Sequence, residues 1–130
     1  MAGQRLVPAS DGDLALVTGQ WSSEKHDYVH RIADIFSRGM KNSWSHRCYL
    51  DLFAGPGLCI SDDSHTEFPG SPLRAVSIRD KFTDYIFNDI NPVCIEALRR
   101  RISRLSPDLR ARYFTLDCNA AVLEIRSVLP

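Results

Sequence analysis

The stretch Cys48-Tyr49-Leu50-Asp51-Leu52-Phe53-Ala54-Gly55-Pro56-Gly57 decides the fold. Its first six residues are largely apolar, with Asp51 the clear exception, and a glycine-bounded turn halts them. Such a run suits a strand buried on both faces. Two glycines directly after a strand let the backbone turn tightly and approach a ligand without Cβ interference. Working outward, Tyr85-Ile86-Phe87-Asn88-Asp89 and Arg112-Tyr113-Phe114-Thr115-Leu116-Asp117 read as two further strands. A helix is expected from just after Trp21, with Ser22 or Ser23 as N-cap and Val29, Ile32, Ala33 and Phe36 as its apolar stripe. Residues 61–72 are polar, end in turn residues and read as a loop, and residues 73–81 as a short helix. Asn91-Pro92 supplies an N-cap and a first-turn proline for a helix with Ile95, Leu98, Ile102 and Leu105 on one face. Ser106-Pro107 stops it, and a last helix is expected over residues 120–129. One helix followed by three strand–helix units predicts an α/β fold with a doubly wound parallel sheet, its strands in the order 3-2-1.

The rest of the composition narrows the class. The chain has 130 residues, 16 Lys+Arg against 16 Asp+Glu, 44% hydrophobic and 25% charged residues, as an ordinary globular domain has. One core is expected. No apolar run is long enough to span a membrane, residues 1–16 lack the apolar core of a signal peptide, and a cytoplasmic location is expected. Residues 1–20 read as a mixed N-terminal segment, partly ordered at its extreme end. Cys48, Cys59, Cys94 and Cys118 form no C-x-x-C pair, so they read as reduced thiols packed as small hydrophobes, and no metal site is expected.

All three strand candidates contain or end in an acid: Asp51, Asp89 and Asp117. A buried sheet disfavours carboxylates, so these belong where strands emerge, the edge at which open α/β sheets bind ligands. The grouping predicts a polar ligand rich in hydrogen-bond donors. Gly55-Pro56-Gly57 alone is weak evidence, and Ile60 stands where a dinucleotide fingerprint needs its third glycine. Asp89 also lies well beyond the roughly 20-residue spacing of that fingerprint.

The string Asp51-Leu52-Phe53-Ala54-Gly55-Pro56-Gly57 resembles the D-x-F-x-G-x-G motif of class I S-adenosylmethionine-dependent methyltransferases. Asn88-Asp89-Ile90-Asn91-Pro92 and Leu116-Asp117-Cys118-Asn119 are similar to their second and third strand-end elements. A closer resemblance is to the three-Cys-motif partner proteins, a bacterial family with a methyltransferase-like fold. It rests on Gly19-Gln20-Trp21-Ser22-Ser23-Glu24-Lys25, residues 49–57, Gly70-Ser71-Pro72 and Asp117-Cys118-Asn119, and covers about residues 11–130. The resemblance implies a Rossmann-like sheet that takes S-adenosyl-L-methionine. It implies that Gly55 and Gly57 let the loop pass beneath the methionine portion, that Phe53 of the same motif belongs to the cofactor site, and that Asp51 interacts with the amino group, directly or through water. It further implies that Asp89 accepts from the ribose hydroxyls, Ile90 lies against adenine, and Asp117 accepts from the adenine amino group beside Cys118. The implied partners are a three-Cys-motif protein and a nucleic-acid substrate.

The class I catalytic motif follows a fourth strand, and no such element occurs before Pro130. Residues 21–130 are therefore expected to be the cofactor-binding half of a sheet truncated after its third strand, inactive alone, with catalytic residues unassigned. The alternative is a non-catalytic binding or regulatory partner that keeps the fold. Blander readings apply elsewhere. His26-Asp27-Tyr28-Val29-His30 imitates a zinc helix but lacks the glutamate and a third ligand, and reads as a solvated face. The six arginines between Arg99 and Arg112 read as a hydrated helix face, Trp21 and Trp44 as packing residues, and Phe53 on its own as core. The three aspartates could also serve only as helix N-caps.

Overall fold

A computed structural model of the chain describes residues 5–19 and 21–129, with the side chains of residues 21–27 and 29 outside that description. In chain order the elements open with β1 (Leu6–Pro8), β2 (Leu14–Thr18), α1 (Trp21–Met40), β3 (Cys48–Asp51), β4 (Leu58–Ser61) and β5 (Glu67–Pro69). They continue with α2 (Ser71–Val76), β6 (Asp84–Asn88), α3 (Pro92–Leu105), β7 (Ala111–Phe114) and α4 (Cys118–Val128). The fold is mixed α/β with two sheets. The expected N-caps Ser22 and Ser23, the packing of Trp21, and the side chains of His26, Asp27 and Val29 lie outside the described residues.

The three acid-bearing strands form one sheet in the order β3-β6-β7, every pair parallel, as the alternating pattern predicts. Tyr49 pairs with Tyr85, Asp51 with Phe87 and Phe87 with Tyr113, so one face is a band of aromatic rings. The side chains of a strand alternate between faces, which fixes what each side buries. Tyr85 and Phe87 pack with Ala75 and Val76 of α2 and Ile95, Leu98 and Ile102 of α3. Ile86, one residue out of step, packs on the other face against Ala121 and Ile125 of α4. Asn91 caps α3 by accepting from the Val93 N–H at 3.0 Å, and Pro92 follows at its first turn.

The second sheet, β1-β2-β4-β5, corrects two expectations. Residues 6–18 hold a hairpin, where the sequence suggests only a mixed segment. The loop expected over residues 61–72 contains β5, antiparallel to β4. Gly12 at φ +88° makes the hairpin turn, and β2 pairs in parallel with β4 directly beyond the glycine stretch. The short helix expected over residues 73–81 is displaced to the front, starting at Ser71 and ending at Val76.

The apolar stripe of α1 is also corrected. Ala33 is buried, but Ile32 is 68% exposed and Phe36 half-exposed, while Ser37 is fully buried. Arg47 donates to the Ser37 hydroxyl at 2.7 Å and to its carbonyl at 3.0 Å, so polar bonds rather than a leucine-like stripe seat that face. All four cysteines are free, with Cys59 and Cys94 buried. No helix among the described residues is long and apolar enough to cross a membrane.

Candidate functional site

A cavity of about 550 Å³ opens at the carboxyl ends of β3, β6 and β7. Phe53, Gly55, Gly57, Asp89, Ile90, Asp117 and Cys118 all line it. Asp51 stands behind the wall: its Oδ2 accepts from the hydroxyl of Ser71, a lining residue, at 2.6 Å. Seven of the eight residues singled out from the sequence therefore meet at one cavity, and the eighth touches its lining.

Asp89 organises the glycine turn. Its Oδ2 accepts from the Gly55 N–H at 2.9 Å and its Oδ1 from the Asn91 N–H at 2.9 Å. One buried carboxylate thus ties the turn after β3 to the start of α3. Gly55 and Gly57 sit at φ +68° and +92°, a region open to glycine at little cost. The Gly57 carbonyl accepts from the Gly70 N–H at 2.7 Å, bringing the start of α2 against the turn.

Asp117 is a helix cap, as the plainer reading allows: its Oδ1 accepts from the Asn119 and Ala120 N–H groups at 3.0 and 3.1 Å. Cap and ligand group are compatible roles, because a carboxylate has about four acceptor sites and Oδ2 holds no bond to the described residues. Burial raises the Asp51 carboxyl above the ordinary carboxylate range. The Ser71 hydroxyl and Phe53 N–H pull it back, and the nearby Asp89 charge pushes the same way as burial. Phe53 is 75% exposed and Ile90 63% exposed, so Phe53 belongs to the rim and not, as its apolar neighbours suggest, to the core.

Four contributors carry no clear signal in the sequence. Asn88, almost fully buried, donates to the carbonyls of Leu52 and Leu116 at 3.1 and 2.9 Å and accepts from the Leu116 N–H at 3.0 Å. It pins the three strand exits together behind the cavity. Leu16 and Cys59 bring the second sheet in as a wall. Arg101 braces that wall: it donates to the carbonyls of Pro56 and Leu14 at 2.8 and 2.6 Å and holds Asp11 through two bonds of 2.8 and 2.9 Å.

Of the arginine cluster only Arg101 is buried; the other five are exposed, as a hydrated face has them, though several hold partners. Arg100 and Arg104 hold Asp13 at 2.7 and 2.9 Å, and Arg99 lies over the Tyr113 ring at 4.5 Å. His30, of the zinc-like stretch, donates through Nδ1 to the Arg74 carbonyl at 3.1 Å, the tautomer being assigned from that bond.

Among the described residues the lining contains no Lys, Arg or His side chain, and carboxylates are its only ionisable oxygen groups. Comparisons with protein-family models, curated proteins and solved structures return no match. The cavity's own chemistry is what speaks for its ligand. The carboxylates of this wall favour a positive or donor-rich molecule.

Proposed function

We propose that this cavity binds S-adenosyl-L-methionine, and that the protein is a methyltransferase-like protein resembling the three-Cys-motif partners, its parallel sheet the core of a Rossmann-like fold. One observation carries the reading: aspartates gather at the exits of three parallel strands around a cavity that, among the described residues, no cationic side chain lines. Nucleotide polyphosphates find no cationic side chain among the described residues of such a wall. A nucleoside bearing an ammonium and a sulfonium fits it well, and the cavity volume lies within the usual range for small ligands.

When bound, the cofactor supplies a methyl group activated on its sulfonium. The chain's own residues bind and orient. Each Asp89 oxygen holds one backbone amide and retains acceptor capacity, so the pair suits two neighbouring ribose hydroxyls. Asp117 Oδ2 suits the adenine amino group, and the exposed Ile90 offers an apolar surface to the base. Asp51, short of a cation among its described neighbours, suits the amino group of the methionine portion, directly or through water. Phe53 at the rim offers a flat apolar contact, for which nucleic acid is the proposed acceptor.

A non-catalytic partner protein is the second reading. It is favoured by the lining, where Asp89 and Asp117 already hold backbone amides and, among the described residues, neither His, Lys nor Glu is present. Isothermal titration with S-adenosylmethionine, ATP and NAD tests the common ground. Binding of the first alone is expected, and saturable ATP or NAD binding without it overturns the proposal. Transfer of a labelled methyl group to nucleic acid then separates enzyme from partner.

A further inference from the structure

We infer that Ser71 is a positioning residue: its hydroxyl fixes the Asp51 carboxylate just behind the cavity wall, where it meets the ligand's ammonium group directly or through water, and keeps it charged. This rests on the proposed reading of the cavity and adds a residue to it. The geometry is specific. Ser71 is the first residue of α2, lines the cavity, and donates to Asp51 Oδ2 at 2.6 Å, while the Phe53 N–H holds Oδ1 at 3.1 Å. With both oxygens anchored, the carboxyl plane is set, and each oxygen keeps acceptor capacity for an N–H donor. Ser71 is itself fixed, because Gly70 before it donates to the Gly57 carbonyl at 2.7 Å. A Cβ on Gly70 would lie 3.2 Å from that carbonyl oxygen, so the approach of α2 to the glycine turn needs a small residue there.

The electrostatics require such a donor. Among the described residues, the charged or titratable groups acting on Asp51 are Asp89 across the turn, a like charge, and Tyr49 on the same strand. Among the described residues no Lys, Arg or His joins the lining, and hydrogen bonds from Ser71 and Phe53 offset the burial of this carboxylate. Ser71 supplies the one side-chain bond. Without it the carboxyl would take up a proton at higher pH and turn freely, and it would meet an ammonium less well.

Titration calorimetry on the full chain tests this with two probes: S-adenosylmethionine, and 5′-methylthioadenosine, which keeps the nucleoside but has no ammonium. Ser71→Ala, Ser71→Thr and Asp51→Asn are compared with the unaltered protein between about pH 4 and about pH 8. Ser71→Ala is expected to weaken S-adenosylmethionine roughly tenfold at neutral pH, the size of one hydrogen bond to a charged group. Its binding midpoint moves to higher pH, methylthioadenosine is unaffected, and Ser71→Thr restores affinity. Asp51→Asn loses S-adenosylmethionine affinity at all pH values and keeps methylthioadenosine, which tests the ammonium contact even if Ser71→Ala fails to fold. Equal loss of both probes in Ser71→Ala, or no loss of either, overturns the role of Ser71 while the cavity reading stands. Binding of neither probe by the unaltered chain overturns the cavity reading, and this inference with it.

Discussion

A Cβ on Gly57 would lie 2.9 Å from Leu98 Cδ1 and 3.3 Å from Leu73 Cγ, on a backbone at φ +92°. The sequence suggests that this glycine makes room for a ligand. The structure shows that it makes room for the core, since a side chain here enters the packing between α2 and α3. Gly57→Ala is therefore expected to cost stability first, by about 1–3 kcal/mol from overpacking and strain, read as a lower urea midpoint. Gly55, with open space where its Cβ would stand, carries the conformational demand without the clash. Asp89 is a different case. Its role as a strand-end acid is legible, whereas its bonds to Gly55 and Asn91 are not, because they depend on how two turns fold together. Asp89→Ala is expected to weaken S-adenosylmethionine by roughly 1.5–3 kcal/mol, about tenfold to a hundredfold or somewhat more by calorimetry. Asp89→Asn is expected to keep more of the fold and less of the affinity, which separates turn from ligand.

Helix α3 was legible end to end, from its Asn91 cap to Leu105, because cap, proline and apolar period agree. Leu105 itself is 55% exposed, so the buried stripe ends one turn early. Arg101 shows where such reading fails. It lies three residues after Leu98 and next to Ile102, hence on the apolar face, and its 4% exposure follows from that position. What makes burial tolerable is Asp11, ninety residues earlier, and no local pattern announces so distant a partner. The hairpin strands stayed hidden for a like reason. Three to five residues pair only once β4 is beside them.

Arg101 lowers the Asp11 carboxyl from its ordinary 3.8 to about 2, and Arg104 and Arg100 lower Asp13. A depressed folded-state value means stabilisation that is complete above the unfolded value and lost as pH falls through the folded one. Docking of the β1–β2 hairpin on α3 is thus expected to weaken between about pH 4 and about pH 2. Hydrogen exchange at Ala15 and Leu16 in that window, with the β6 amides still protected, is the measurement. Arg101→Met is expected to release the same hairpin at neutral pH and to lower the thermal midpoint, since Asp11 loses its main partner. Unchanged exchange at Leu16 in that variant would show that the brace on Pro56 and Leu14 is dispensable.

Across the whole molecule the parallel sheet was legible and the second sheet was not. Long-range order β3-β6-β7 follows from repeated strand–helix units and right-handed crossovers, which need no knowledge of side chains. The β1-β2-β4-β5 sheet mixes parallel and antiparallel pairs of short strands, and nothing in their composition states who pairs with whom. The cavity wall inherits that division: its acids and glycines come from the legible sheet, and Leu16 and Cys59 from the other.

The band of rings on the parallel sheet has an optical consequence. Tyr49, Tyr85 and Tyr113, three of the chain's four tyrosines, lie within a ladder of ring contacts that runs through Phe87, with centroids about 6 Å apart. The second sheet contains neither tyrosine nor tryptophan. Rings held in one fixed chiral array give a strong near-ultraviolet dichroism that vanishes when their packing loosens. The tyrosine bands of this protein therefore report on one sheet and are blind to the other. As acid frees the hairpin those bands should persist, and only unfolding of the parallel sheet should extinguish them.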